Sequence, residues 1–130
     1  MGPDSIGSRD RSRTMRFTWF IVVAALGCLI DLSTKSVVFS WLGEPQLGRE
    51  KIYWVIQDYV GIETALNEGA LFGAMQGWVW FFCAMSFVAL GGIGFWLWKK
   101  HALDDALLTF TLALITGGIL GNLYDRLGLW

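Results

Sequence analysis

Twenty-one consecutive residues, Trp78 to Trp98, carry no charge: "WVWFFCAMSFVALGGIGFWLW". As an α-helix, at about 1.5 Å per residue, this run is roughly 30 Å long, the thickness of a bilayer's hydrocarbon core. A water-soluble domain would have to bury it on every side. A chain of 130 residues allows one compact unit, with too little interior for that. Apolar residues make up 55% of the chain and charged residues 16%, with 8 Trp and 9 Phe, so lipid is the solvent that fits.

Two further apolar runs support the same conclusion. One extends from Phe17 to Ile30, meets Asp31 and Lys35, and resumes as "SVVFSWL". The other runs from Ala106 to about Tyr124 and is polar only at its threonines and Asn122. The expected fold is a mainly α membrane protein with three transmembrane helices, over about residues 17–42, 78–98 and 106–124. A net charge of -1 points to neither nucleic acid nor an acidic partner. Cys28 and Cys83 lie in apolar runs without metal-ligand spacing and read as small buried hydrophobes.

Lys and Arg counts in the flanks set the expected orientation. Arg9, Arg11, Arg13 and Arg16 precede the first span, and Lys99 and Lys100 follow the second. Between spans one and two, Arg49 and Lys51 stand against Glu44, Glu50, Asp58, Glu63 and Glu68. The amino terminus is therefore expected in the cytoplasm, with the Gly43–Gly77 segment and the end of the third span outside. Met1–Thr14, "MGPDSIGSRDRSRT", reads as a disordered tail before a membrane unit over residues 15–130; Met15 would serve equally as an initiator. In the outer segment, alternation in Ile52–Ile56 and Ile62–Leu66, with Gly61 between, predicts two short strands at the membrane surface.

Ionisable and polar groups at the edge of a span are costly, so they pair or perform a function. Three clusters qualify. In "DLSTK", Asp31 and Lys35 are four apart and share a helix face. They form either an internal ion pair or a polar contact holding neighbouring helices or a substrate. In "NEGALFG", Gly69 and Gly73 permit close backbone approach and Asn67 offers a donor and an acceptor. An ordinary Asn-Gly turn is the alternative. In "GGILGNLYDR", Gly118, Asn122 and Asp125 fall on one helical face, and Gly117 and Gly121 form a G-x-x-x-G pair that lets another helix approach. Asp125 either serves a site there or pairs with Arg126.

Taken in order, the clusters resemble the lipoprotein signal peptidase family, signal peptidase II. Asp31 and Lys35 match its first motif. Asn67, Gly69, Ala70, Phe72 and Gly73 match the second, Asn-x-Gly-Ala-x-Phe-Gly. Gly117, Gly118, Gly121, Asn122, Asp125 and Arg126 match the third, Gly-Gly-x-x-Gly-Asn-x-x-Asp-Arg, in full. The resemblance covers about Met15 to the end.

That resemblance implies an aspartic endopeptidase of the bacterial inner membrane, without cofactor or metal. Its substrate would be a prolipoprotein cut just before a diacylglyceryl-modified cysteine, at the periplasmic face, with the diacylglycerol remaining in membrane lipid. Asp125 matches the family's first catalytic aspartate. Asp31 and Lys35 match a supporting motif. Asn67, Gly69, Asn122 and Arg126 match residues of the motifs that line the site and meet substrate or a globomycin-type cyclic peptide inhibitor. Amide hydrolysis by two carboxylates needs one ionised, to take a proton from water, and one protonated, to polarise the carbonyl. The family has four spans and carries its second aspartate in a Phe-Asn-x-Ala-Asp motif opening the fourth. No such motif occurs up to Trp130, so the expectation is a truncated chain, inactive alone.

Two rival readings carry different functions. "AALGC", Ala24–Cys28, faintly resembles a lipobox, which would make the chain a substrate; Ala25 and Leu26 stand in the wrong order and two spans follow. A non-enzymatic membrane subunit, or a degenerate gene product, would also hold intramembrane Asp, Lys and Asn. A transport site, however, belongs nearer the midplane than the third motif lies.

Overall fold

The structure, a computed structural model, describes residues 3–43, 52–64, 77–99 and 102–129. In chain order it contains α1 (Pro3–Leu42), β1 (Tyr53–Ile56), β2 (Val60–Ile62), α2 (Val79–Lys99), a 3-10 turn (Ala102–Asp104) and α3 (Ala106–Arg126). Among the described residues, three helices are long and apolar enough to cross a membrane: Arg11–Leu42, Val79–Lys99 and Ala106–Arg126. The expected mainly α class, with a small sheet between the first two helices, is the observed one.

α1 takes in residues 3–14, which composition alone reads as a tail. Pro3 suits a first helical turn, where its missing N–H has no intrahelical partner. At about 1.5 Å per residue the helix is roughly 60 Å long, about twice a hydrocarbon core. Its basic part is tied down: Arg16 Nη1 donates to Leu103 O at 2.9 Å and to Asp104 O, and Arg13 Nε lies 3.5 Å from Asp104 Oδ1.

The turn between α2 and α3 is locked by its own side chains. Asp105 caps α3, accepting from Leu108 N at 3.0 Å. Thr109 Oγ1 bonds to Ala102 O at 3.0 Å and to Asp105 O at 2.7 Å. At the other end Gly128, at φ 65°, takes the left-handed conformation that ends α3 just beyond Arg126.

α1 and α3 lie parallel and in close contact. Gly117 meets Gly27 and Ala24, Gly121 meets Asp31, and Asp125 meets Lys35, so contacts rise together along both helices. A Cβ at Gly117 would lie 2.8 Å from Ala24 O and 3.2 Å from Cys28 N, so glycine there sets the helix separation. The core is Phe20, Ala24, Leu97, Ala102, Leu112 and Ala113. Elsewhere the helices expose large apolar side chains, among them Trp19, Ile30, Val37, Trp80, Val88 and Leu107. That is the surface expected of spans facing lipid. Cys28 lies inside continuous α1, beside Gly117, rather than in an extended, cleavable segment.

β1 and β2 pair antiparallel, Tyr53 with Ile62, Trp54 with Gly61 and Ile56 with Val60. The sequence places the turn at Gly61 and the second strand at Ile62–Leu66. In the structure the chain turns at Gln57–Tyr59, with Asp58 at φ 61°, and the second strand is Val60–Ile62. Gly61 pairs with Trp54 within the strand, and glycine is needed there because a Cβ would lie 2.5 Å from Ile52 Cγ2 and 3.2 Å from the Trp54 ring. The hairpin is fastened to the end of α1 by the Trp41–Tyr53 ring contact at 4.6 Å and by Thr64 Oγ1 donating to Gly43 O at 3.0 Å.

Candidate active site

Asp31 and Lys35 lie on consecutive turns of α1, and their side chains meet: Lys35 Nζ is 2.5 Å from Asp31 Oδ2. The same ammonium lies 2.7 Å from Asp125 Oδ2 on α3. The two readings left open for Lys35 are therefore both realised, an ion pair on its own helix and a bridge to a neighbour. Asp125 is the most enclosed of the three, its side chain 11% exposed against 27% for Lys35 and 35% for Asp31. Glycine makes the approach possible. A Cβ at Gly121 would collide with the Asp31 carboxylate.

With all three ionised, Asp31, Lys35 and Asp125 carry one net negative charge. In a low-dielectric setting one ammonium shared by two carboxylates holds both in place through short charge-assisted hydrogen bonds. The group lies on the hairpin side of the helices, with Asp125 in the last turn of α3.

Arg126, next in sequence, turns to α2. Its Nη1 donates to Ser86 Oγ at 3.3 Å and its Cζ lies 5.1 Å from the centre of the Phe82 ring. Neither Ser86 nor Phe82 was singled out from the sequence. One signal was available: Ser86 is the single hydroxyl in the run Trp78–Trp98.

The structure thus brings together Asp31, Lys35 and Asp125, with Arg126 alongside. It divides the face drawn from sequence through Gly118, Asn122 and Asp125: Gly118 and Asn122 are exposed, while Gly117 and Gly121 are buried against α1. The close approach of α1 selects the glycine pair, and Asp125 follows that seam. Asn67 and Gly69 lie outside the described residues. Among the described residues no three His, Cys, Asp or Glu side chains gather in a way that could hold a metal.

Three apolar helices with an acid–base–acid group at one end define a multi-span membrane protein with a polar site near the lipid boundary. Residues 23–129 match the family described as Signal peptidase (SPase) II, and the chain belongs to that family. It is 46% identical over 115 residues to a lipoprotein signal peptidase of Rhodopirellula baltica, covering 88% of this chain and 51% of that protein. A lipoprotein signal peptidase of Bacillus pumilus is 36% identical over 108 residues, covering 83% and 65%. One of Pseudomonas fluorescens is 35% identical over 122 residues, covering 91% and 68%. The chain therefore spans about half to two thirds of the length of these relatives. No solved structure matches it.

Proposed function

We propose that this chain forms the larger part of a lipoprotein signal peptidase, with Asp125 as one of its two catalytic carboxylates. The observation that carries this reading is the bridge from Lys35 to Asp125: two motifs 90 residues apart converge on one half-buried acid. A structural ion pair would need only Asp31 and Lys35. Here the cation is shared with an acid at the end of another helix, where water and a lipid-anchored peptide can both arrive.

The reaction follows from two carboxyl groups acting together. The ionised one takes a proton from water as its oxygen attacks the scissile carbonyl carbon. The protonated one hydrogen-bonds the carbonyl oxygen as negative charge develops there. Collapse of the tetrahedral adduct breaks the C–N bond, and the proton passes to the amine of the lipidated cysteine. Asp125 supplies one carboxyl. The other, by family resemblance, belongs to a Phe-Asn-x-Ala-Asp motif on a fourth helix, and the 130 residues hold no such motif. Asp31 and Lys35 hold Asp125. Arg126, Asn122, Asn67 and Gly69 contact substrate or a globomycin-type inhibitor. The unit spans residues 15–130, lies in the bacterial inner membrane with its amino terminus in the cytoplasm, and cuts at the periplasmic face.

Cells depleted of their own signal peptidase II provide the test. The 130-residue chain alone leaves diacylglyceryl prolipoprotein uncut, whereas the chain joined to, or co-expressed with, a helix bearing Phe-Asn-x-Ala-Asp yields mature lipoprotein. Failure of both the joined and the co-expressed forms, with the protein present in the membrane, counts against the peptidase reading.

A further inference from the structure

Asp125 and Arg126 are neighbours of opposite charge, yet their side chains leave α3 toward different helices. Asp125 goes to Lys35 on α1. Arg126 goes to α2, where Ser86 and Phe82 stand one turn apart on a single face. Ser86 is buried, and its hydroxyl donates to Phe82 O at 2.9 Å. Its only proton is thereby engaged, so its lone pairs are what it offers Arg126, whose Nη1 donates to it. The Phe82 ring presents its negative face to the guanidinium. Nε of Arg126 is buried and has no hydrogen-bond partner among the described residues.

In an apolar surrounding a flexible cation falls onto the nearest carboxylate unless something else holds it. The hydroxyl and the ring do so here. They are the two groups on α2 within reach of Arg126, in a helix otherwise apolar as far as Lys99.

We infer that Ser86 and Phe82 are positioning residues that clamp the Arg126 guanidinium against α2, beside Asp125, where its free terminal N–H edge meets the backbone of the bound peptide. The clamp itself stands on the geometry; its role in holding peptide rests on the peptidase reading above.

Two readouts on the membrane-embedded chain, joined to a helix bearing Phe-Asn-x-Ala-Asp, separate these parts. The first is modification by phenylglyoxal, quantified at Arg126 by mass spectrometry. Wild type reacts slowly there, Ser86→Ala and Phe82→Leu react several-fold faster, and Ser86→Thr and Phe82→Tyr, which keep the hydroxyl and the ring, return to the slow rate. The second is the kinetics of prolipoprotein cleavage. Ser86→Ala raises KM about tenfold, as loss of one charge-assisted hydrogen bond implies, and leaves kcat nearly unchanged. Ser86→Thr restores KM. Unchanged phenylglyoxal reactivity in Ser86→Ala and Phe82→Leu overturns the clamp. Faster reactivity with unaltered KM overturns its part in holding peptide. If wild type cleaves no prolipoprotein, the peptidase reading falls by itself, and the reactivity at Arg126 still decides the clamp.

Discussion

The Lys35 ammonium of α1 lies 2.7 Å from the Asp125 carboxylate of α3. It is the polar end of a seam whose apolar part is Gly27 against Gly117 and Ala24 against Gly117. Removing the ammonium leaves the Asp125 carboxylate, 11% exposed, facing Asp31 across the seam without the cation they share. Lys35→Met should therefore lower stability by about 2 kcal/mol, the range for a lost hydrogen bond to a charged group. Asp125→Asn in the same chain should return much of that loss, since the uncompensated charge is gone. Thermal unfolding of the four proteins in detergent measures the coupling as a double-mutant cycle. Additive effects of the two substitutions would show that the bridge contributes nothing.

Asp125→Asn alone tests the chemistry. The amide keeps the size of the side chain and can still accept from Lys35, so the helices should stay packed. It cannot take a proton from water. In the chain joined to a helix bearing Phe-Asn-x-Ala-Asp, prolipoprotein cleavage should fall by at least about a hundredfold, the lower end of what a positioned general base or acid contributes. A pulse-chase of a lipoprotein precursor checks this. Processing at the wild-type rate would remove Asp125 from the catalytic role.

Gly121 is the residue that admits Asp31. A methyl group there meets the Asp31 carboxylate, and one at Gly117 meets the α1 backbone at Ala24 O. Backbone cannot swing aside, so alanine at Gly117 pushes α1 and α3 apart, at about 1–3 kcal/mol; alanine at Gly121 instead drives the Asp31 carboxylate off its place beside Lys35, at a similar cost. Gly118 is the internal control, with nothing within 4 Å of a Cβ placed there. Gly118→Ala should be neutral or gain a few tenths of a kcal/mol from helix propensity, up to about 1 kcal/mol. Melting temperatures of the three variants should therefore rank Gly118→Ala above wild type or level with it, and Gly117→Ala and Gly121→Ala below.

How much of this was legible in the sequence depends on the range of the interaction. α2 follows from Trp78–Trp98 because a charge-free run of that length has only one solvent. α3 likewise extends from Ala106, two residues beyond the expected Tyr124. The Asp31–Lys35 pair is a four-residue relation and needed no tertiary information. The partner of Asp125 did. Locally Arg126 is as plausible as any cation, and only the packing of Gly117 and Gly121 on α1 brings Lys35 to it from 90 residues away. Packing also decides that Asn122 and Gly118 are exposed. The hairpin was misplaced for a related reason. Gly61 looked like the turn, but Asp58 takes the positive φ, and the glycine is needed where Ile52 and Trp54 crowd the strand.

The arrangement of the ends makes the orientation testable. Arg16 bonded to Leu103 O puts the basic part of α1 beside the α2–α3 turn, so Arg11, Arg13, Arg16 and Lys99 gather at one end. The hairpin, fastened to Gly43 and Trp41, stands at the opposite end of α1. By the bias of Lys and Arg toward the cytoplasm, Asp58 at the hairpin turn should face the periplasm and Ala106 at the start of α3 the cytoplasm. In a chain carrying Cys28→Ala and Cys83→Ala, a membrane-impermeant maleimide should label Asp58→Cys in spheroplasts and Ala106→Cys only after the membrane is opened. The reverse pattern would place the Asp31–Lys35–Asp125 group on the cytoplasmic side, where no lipidated precursor presents its cleavage point. That result would sink the peptidase reading even with every distance in the site unchanged.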